Sequence, residues 1–212
     1  MKTNSTLGIF CCLALAGSFA IAGDTKDPKQ SPAGMPKLPE GWSAQDMQAC
    51  MEAGMPSAMH EQLKARVGVW KGTNKMWMGP GSDSMTSDTT WTVTSIMEGR
   101  FIKTDVAGDM PGMGPYMGTA VEGYDNVSKK FVGTWVDNHS TGIMNGTAER
   151  SADGNTMSWS YTFNCPMTKK PSVFRMVQHN LGTDAMKVEM FCTDPKSNKE
   201  YKCMEVDLKR GA

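Results

Sequence analysis

The fold of this chain is decided by an alternating run that begins Gly68-Val69-Trp70-Lys71-Gly72. From there to the end, short segments alternate apolar and polar residues, and the gaps between segments hold Gly, Asp, Asn, Pro or Lys. A period of two is typical of strands that bury one face. The alternation therefore predicts β-structure, and it says much more about architecture than about chemistry.

The alternation predicts a series of strands joined by turn-forming residues such as Asp153-Gly154 and Asp194-Pro195. The predicted strands are Val67–Met78, Ser84–Met97, Arg100–Asp109, Tyr116–Tyr124, Lys130–Asn138, Thr141–Arg150, Asn155–Cys165, Ser172–Leu181, Ala185–Thr193 and Glu200–Lys209. About ten antiparallel strands with no helix between them hide their edges by closing into a barrel or by stacking as two sheets. We expect an all-β fold, a closed antiparallel up-and-down barrel wide enough to leave an internal pocket.

Length and composition fit one globular domain with some additional chain. The 212 residues are 39% hydrophobic and carry 22 basic and 22 acidic side chains. A nucleic-acid-binding protein would need a basic stripe to neutralise phosphates, and here the basic residues are scattered among carboxylates. Nucleic acid is therefore not an expected partner.

The amino end has the features of a secretory signal. Lys2 supplies positive charge, an apolar run extends from Leu7 to Ile21, and Ala20-Ile21-Ala22 offers small residues for cleavage. The apolar run is shorter than the ~20 residues that a membrane-spanning helix needs. We therefore predict a signal peptide over residues 1–22 and a secreted or periplasmic protein with no stable membrane anchor after cleavage.

Three further segments follow the signal. Residues 23–42 are polar and rich in Pro and Gly, which predicts a flexible linker. Residues 43–66 form a helical cap segment that begins with a capping pattern at Ser43 and Asp46 and breaks at Gly54 to Pro56. Residues 67–212 are the barrel domain.

Four cysteines remain after cleavage, namely Cys50, Cys165, Cys192 and Cys203. Disulfides persist in exported proteins, so we expect two, with the pairing left open. A bond between Cys192 and Cys203 would need a β-bulge or a frayed strand end, because Cys203 is out of step with the inward residues of its strand.

Six motifs follow one another along the chain, namely His60-Glu61-Gln62-Leu63, Val67-Gly68-Val69-Trp70-Lys71-Gly72, Glu98-Gly99-Arg100-Phe101, Gly108-Asp109-Met110-Pro111-Gly112, Gly123-Tyr124-Asp125 and Phe131-Val132-Gly133-Thr134-Trp135-Val136-Asp137. In this order they resemble the DUF1579 family of bacterial proteins, which have no agreed function. The resemblance covers roughly His60 to Arg210.

The Gly-x-Trp-x-Gly motif of the first strand also resembles that of the calycins, which include lipocalins and nitrobindin-like haem proteins. That resemblance implies a lipocalin-like barrel with an internal ligand site. It also implies a structural latch, in which an Arg from the last strand covers the Trp of the first. Arg210 and Trp70 are the matching residues here.

The function that these features favour is non-catalytic binding of a small apolar or amphipathic molecule, with no cofactor and no catalytic residue assigned. Such a ligand would lie among aromatic side chains with a few polar groups for orientation. The candidate pocket residues are Trp77, Trp91, Trp135, Asp137, Trp159 and His179. The ligand's identity and the oligomeric state stay open.

Metal handling is an alternative function, because the chain contains 20 methionines. Thioethers select Cu(I), and Met110, Met113 and Met117 lie in a Gly/Pro-rich segment that could hold that ion. The competing interpretation is that methionine fills irregular barrel interiors as a flexible apolar side chain.

A barrel enzyme and a haem protein are the remaining alternatives, and both depend on histidine. The chain has three histidines, His60, His139 and His179. Asp137 could orient His139 as a general base, although no nucleophile is placed by spacing. His179 could serve as an axial haem ligand, as the nitrobindin resemblance implies, but Asn74 replaces a Gly of that group's longer motif.

Overall fold

The computed structural model describes residues 38–211, so the predicted signal peptide and most of the predicted linker lie outside the described residues. The chain divides into two compact units between Met55 and Pro56. Within residues 38–211, no helix has both the length and the apolar character needed to cross a membrane.

The first unit contains helix α1, Ala44–Gly54. Ser43 and Asp46 form the capping box that the sequence predicts, with the Ser43 backbone N–H donating to Asp46 Oδ2 at 2.7 Å. The Asp46 backbone N–H donates in return to Ser43 Oγ at 3.2 Å. Hydrogen bonds to the carboxylate from the Ser43 hydroxyl, and then from the Ser43 backbone N–H, hold the pKa of Asp46 below its usual range.

The second unit begins with the short helix α2, Ala58–Lys64, and continues with ten strands. The strands are β1 Gly68–Trp77, β2 Ser84–Ile96, β3 Phe101–Met110, β4 Gly114–Asp125, β5 Lys130–Asp137, β6 Met144–Arg150, β7 Thr156–Asn164, β8 Pro171–Asn180, β9 Ala185–Thr193 and β10 Glu200–Arg210. A 3₁₀ turn, Met97–Gly99, joins β2 to β3. Each predicted strand is present, and its ends shift by only a few residues.

The ten strands form one closed antiparallel barrel. Each strand pairs with its sequence neighbour, and β1 pairs with β10 to complete the ring. No strand of this barrel has an unpaired edge, which removes the template for edge-to-edge association. The predicted fold class is confirmed.

The two glycines of the Gly-x-Trp-x-Gly motif permit the close contacts that seal β1 against β10. A Cβ on Gly72 would lie 1.8 Å from the Asp207 carbonyl oxygen, so only glycine allows this backbone approach. Gly68 has a φ of +140°, and a Cβ there would lie 2.6 Å from Arg210 Nη1. The motif therefore reserves space for the Arg210 side chain.

Arg210 lies over Trp70 at the seam of the barrel. Its Cζ is 4.2 Å from the centroid of the Trp70 ring, within the range of a cation–π contact. The guanidinium also donates to the carbonyl oxygens of Val67 at 2.7 Å and Ala65 at 3.0 Å. These contacts connect the last residue of β10 to the segment between α2 and β1.

A disulfide joins Cys192 at the end of β9 to Cys203 on β10, with a Cα–Cα distance of 5.8 Å. The register between β9 and β10 shifts between Lys202 and Met204, so of the two irregularities that the sequence allowed for this bond the structure has the bulge. The expected second disulfide is absent from the described residues. Cys165 is instead a buried thiol in the turn after β7, where hydrogen bonding from Thr168 lowers its pKa.

Candidate ligand cavity

The barrel is filled at one end and hollow at the other. At the end covered by α2, the core includes Leu63, Trp70, Ile102, Phe131 and Leu208, none more than 4% exposed. Beyond this core, a cavity of about 330 Å³ extends toward the opposite strand ends. The volume falls within the range of small-molecule sites.

The cavity walls are predominantly apolar, and they come from most of the strands. The aromatic side chains that line them are Trp91, Tyr116, Trp135, Tyr161, Phe163 and Phe174. Five methionines join them, namely Met110, Met144, Met176, Met190 and Met204. A ligand in this cavity would contact aromatic and thioether groups over most of its surface.

Three of the predicted pocket residues line this cavity, Trp91, Trp135 and Asp137. Trp91 lies on the inward face of β2 and pairs with Trp70 of β1 and with Val106 of β3. Trp135 and Asp137 lie on β5, at the end of the barrel farther from α2. The structure therefore brings these three residues together.

The other three predicted pocket residues lie outside the cavity lining. Trp159 is 1% exposed and packs within the core against Tyr161, at 5.4 Å between ring centroids. Trp77 alternates with the buried Met76 and so faces outward, where Lys202 Nζ lies 5.5 Å from its ring centroid.

His179 also faces outward, because its neighbour Gln178 is buried inside the barrel. Its Nε2 lies 3.3 Å from Glu189 Oε2 on the adjacent strand. Within residues 38–211, none of the side chains that line the cavity is a histidine. His179 therefore offers no axial ligand to a group held in this cavity.

Asp137 and its neighbours form a polar group near the mouth of the cavity. Trp135 Nε1 donates to Asp137 Oδ2 at 2.9 Å, and a Cβ on Gly118 would lie 2.2 Å from the Trp135 ring, so glycine makes room for the indole. Burial, followed by the negative charge of Asp137, raises the pKa of Tyr116. Tyr116 therefore stays a neutral phenol at physiological pH.

His139 beside Asp137 and His60 on α2 both have structural contacts. Asp137 Oδ1 accepts from the backbone N–H of His139 at 3.0 Å, whereas His139 Nε2 lies 3.4 Å from the Pro115 carbonyl. Asp137 thus fixes the turn after β5 and does not orient the His139 imidazole. His60 Nδ1 accepts from the Ser57 backbone N–H at 2.9 Å, which caps α2.

The floor of the cavity contains a buried ion pair. Arg66 Nη1 lies 2.5 Å from Glu122 Oε2, and the side chains are 10% and 3% exposed. The Arg66 carbonyl accepts from Trp70 Nε1 at 2.9 Å, which fixes the residue at the junction of α2 and β1. Burial, reinforced by the negative charge of Glu122, raises the pKa of Tyr161 beside the pair.

Three polar atoms of cavity-lining residues are buried and have no hydrogen-bond partner within residues 38–211. They are Arg66 Nε, Thr104 Oγ1 and Asn74 Oδ1. A buried polar group without a partner costs roughly 1–3 kcal/mol. The floor therefore holds unused donor and acceptor capacity next to the cavity.

The methionines of the cavity wall form an ordered row across neighbouring strands. Met176 of β8 pairs directly with Met190 of β9, and Met190 pairs with Met204 of β10. The row continues to Met76 of β1 and Met85 of β2. Directly paired residues have Cβ atoms about 4.5–5.5 Å apart on the same face, so three thioethers that line the cavity are adjacent.

The methionines that the sequence suggested for copper are more dispersed. Met110 lines the cavity, whereas Met113 and Met117 are 55% and 60% exposed. Met113 lies in the hairpin turn between β3 and β4, where its backbone N–H donates to the Met110 carbonyl at 2.8 Å.

Arg66, Glu122 and Thr104 of the cavity floor are not among the site residues that the sequence suggests. Glu122 had a detectable signal, since it occupies an inward position of β4 in phase with Ala120, where an acidic residue is unusual. Arg66 had no comparable signal, because it lies between α2 and β1 and its partner is 56 residues away in the chain. The Met176–Met190–Met204 row depends on strand register, which alternation alone leaves open.

Comparisons with known proteins agree with this architecture. A crystal structure of Rv2717c from M. tuberculosis is similar with a TM-score of 0.58 and 11% sequence identity, over 74% of this chain and 100% of that one. At that identity the likeness shows the fold alone. None of the curated proteins matches this chain. Residues 55–210 match the family model described as "Protein of unknown function (DUF1579)", and the chain therefore belongs to the DUF1579 family.

Proposed function

We propose that this protein is an exported, non-catalytic binding protein that encloses a small apolar or amphipathic molecule within its barrel. The observation that carries the proposal is the cavity of about 330 Å³, whose aromatic and thioether walls converge on a few polar groups. Mostly apolar clefts with a small number of placed polar groups are typical of small-molecule sites.

The arrangement of polar groups favours binding over catalysis. Asp137 already accepts hydrogen bonds from Trp135 and from the His139 backbone, and Glu122 is paired with Arg66. General base catalysis needs an acceptor within reach of the substrate's proton, and these two carboxylates have protein partners.

Export is supported by the Cys192–Cys203 disulfide, because disulfides persist in oxidising compartments such as the periplasm or the extracellular space. The disulfide also lines the cavity, so its integrity and the shape of the binding site are connected.

The cavity can be tested with an uncharged fluorescent probe, N-phenyl-1-naphthylamine, whose emission increases in an apolar environment. The variant Ala120→Phe places a ring into the cavity from a residue that is 5% exposed. The matched control is Ala107→Phe, the same substitution on the exposed outer face of β3. We expect Ala120→Phe to weaken probe binding at least about tenfold and Ala107→Phe to leave it unchanged.

Thermal unfolding of both variants distinguishes cavity filling from loss of fold. If Ala120→Phe does not fold, the variant Met190→Trp is used in its place, because it fills the same cavity from β9. A probe that does not bind the wild type, or that binds both phenylalanine variants equally, would contradict the proposal.

Copper(I) binding is a second candidate function, and the Met176–Met190–Met204 row is the observation that favours it. Thioethers are neutral, soft ligands that select Cu(I) over divalent ions. The three side chains line the same cavity. A monovalent cation there would have three soft ligands from neighbouring strands.

Copper binding is tested by titrating the protein with Cu(I) in competition with a chromogenic chelator. The variant Met190→Leu removes the central thioether at nearly constant volume, and Met117→Leu does the same at an exposed position of β4. We expect Met190→Leu to weaken Cu(I) binding at least about tenfold and Met117→Leu to have no effect. Equal effects of the two variants, or binding weaker than micromolar in the wild type, would remove this candidate.

A further inference from the structure

Two polar side chains on the floor of the cavity are buried. Arg66 and Thr104 are 8% and 3% exposed, and both line the cavity. Arg66 Nε is a donor without a partner, and Thr104 Oγ1 is both a donor and an acceptor without one, within the part of the chain that the structure describes. Both residues border the cavity, so this unused hydrogen-bonding capacity lies beside the space that a ligand would occupy.

The charge around these atoms determines which polar group fits. The Arg66 guanidinium is already neutralised by Glu122 at 2.5 Å. Of the described residues that line the cavity, Arg66 is the one basic side chain, and two acidic residues in the inward phase of their strands, Glu122 and Asp137, line it as well. An anionic head group on Arg66 Nε would therefore lie beside the Glu122 carboxylate in a buried site, where like charges repel strongly.

A neutral head group avoids that repulsion and still satisfies the floor. A carbonyl oxygen can accept from Arg66 Nε and from the Thr104 hydroxyl, and an amide N–H can donate to a neighbouring acceptor. Hydrogen bonds made to a charged donor such as a guanidinium are stronger than those between neutral groups. The rest of the molecule would extend along the apolar wall.

We propose that the cavity binds uncharged amphiphiles whose carbonyl or amide head group lies on the Arg66–Glu122–Thr104 floor, in preference to carboxylate amphiphiles of the same chain length. This inference rests on the proposed function, because it names the class of ligand for the same cavity. It assigns roles to two floor residues, Arg66 as the donor and Glu122 as the group that excludes anions.

The test compares decanamide with decanoate, both below their micellar concentrations at pH 7.5, as competitors of N-phenyl-1-naphthylamine. The two molecules share a chain and differ in the charge of the head group. We expect decanamide to displace the probe at a concentration at least about tenfold lower than decanoate.

Two variants assign the selectivity to the floor. Glu122→Gln removes the negative charge at nearly constant volume, and we expect it to reduce the preference for decanamide. Thr104→Val removes one hydroxyl, and we expect about five- to tenfold weaker decanamide binding with unchanged probe binding. The matched control is Thr90→Val on the outer face of β2, which should leave both affinities unchanged.

The outcomes separate this inference from the proposed function. If the probe binds in the cavity but decanoate competes as well as decanamide or better, the head-group inference is overturned and the binding function stands. If the probe does not bind at all, both fail. Should Glu122→Gln not fold, Thr104→Val still decides, since an unchanged decanamide affinity in that variant contradicts the proposed contact.

Discussion

The two ends of this barrel are built from the same alternating strands, yet one end is a packed core and the other holds a cavity. At the filled end, inward positions carry large apolar side chains such as Trp70, Val93 and Ile102. At the hollow end, the inward positions of the same three strands carry Asn74, Ser87 and Gly108, all of which line the cavity. Alternation decides which side chains face inward, and their volumes decide whether the interior is filled.

The polar groups of the β1–β10 seam and those of the cavity floor differ in their hydrogen-bond partners. At the filled end, Arg210 donates to the backbone carbonyls of Ala65, Val67 and Thr183, so the polar groups at the seam are paired. In the hollow part, Arg66 Nε and Thr104 Oγ1 have no partner within residues 38–211. Buried polar groups are usually satisfied inside a protein, so exceptions that border a cavity point to a site for a ligand.

The largest expected difference between the ends is in the free energy of unfolding that is lost when a phenylalanine is replaced by alanine. Phe131 is 4% exposed in the filled core, whereas Phe174 lines the cavity. We expect Phe131→Ala to lower the free energy of unfolding by about 3–5 kcal/mol, because it creates a new void in close packing. Phe174→Ala enlarges an existing cavity, so we expect a loss of about 1–2 kcal/mol, close to the transfer term alone.

Urea denaturation followed by tryptophan fluorescence measures both values, with wild-type m-values as the control for unchanged compactness. Equal losses in the two variants would contradict the distinction between a packed end and a hollow end. A larger loss for Phe174→Ala would reverse it.

The disulfide joins two strands at the hollow end. Removing it is expected to have the next largest effect on stability. Cys192 and Cys203 are separated by 11 residues, for which chain entropy gives a stabilisation of about 3 kcal/mol. We expect the double variant Cys192→Ser, Cys203→Ser to lose about that much free energy of unfolding and to bind N-phenyl-1-naphthylamine more weakly, because the bond lines the cavity.

Adding a reductant to the wild type should reproduce both changes, and adding it to the double serine variant should change nothing. Probe affinity that is unaffected in the double variant would show that the hollow end keeps its shape without the disulfide.

The sequence predicted the barrel well, because each strand carries its own local evidence. The period of two and the turn residues between segments lie within about ten residues of each other, so strand number and order follow from local pattern. The same phase argument places Trp91 and Trp135 inward. It also places Trp77 outward, in antiphase to Met76, and this should have removed Trp77 from the pocket candidates.

The candidate site was predicted less completely, because it depends on distances across the barrel. Trp159 is in the inward phase, but whether an inward side chain reaches the cavity or the packed core depends on its level along the barrel axis, which phase does not give. The Arg66–Glu122 pair joins positions 56 residues apart, and only closure of the barrel brings them together.

The smallest expected effect concerns the outer face beside the disulfide bulge. Glu205 accepts from Lys202 and lies 3.3 Å from Lys187 Nζ, and the hydrogen bond from Lys202 lowers the pKa of the Glu205 carboxyl below 4.5. A lowered folded-state pKa means that the stabilisation is present above the unfolded-state pKa and disappears as pH falls through the folded-state pKa. We expect Glu205→Gln to lower the free energy of unfolding by about 1 kcal/mol at pH 7 and by progressively less as pH falls below 4.5.

Urea unfolding of the wild type and of Glu205→Gln at intervals between pH 7 and pH 3 measures the difference, and Glu98→Gln at an exposed position is the control. A difference that stays constant, or that grows as pH falls, would show that Glu205 does not stabilise the bulge through its charge.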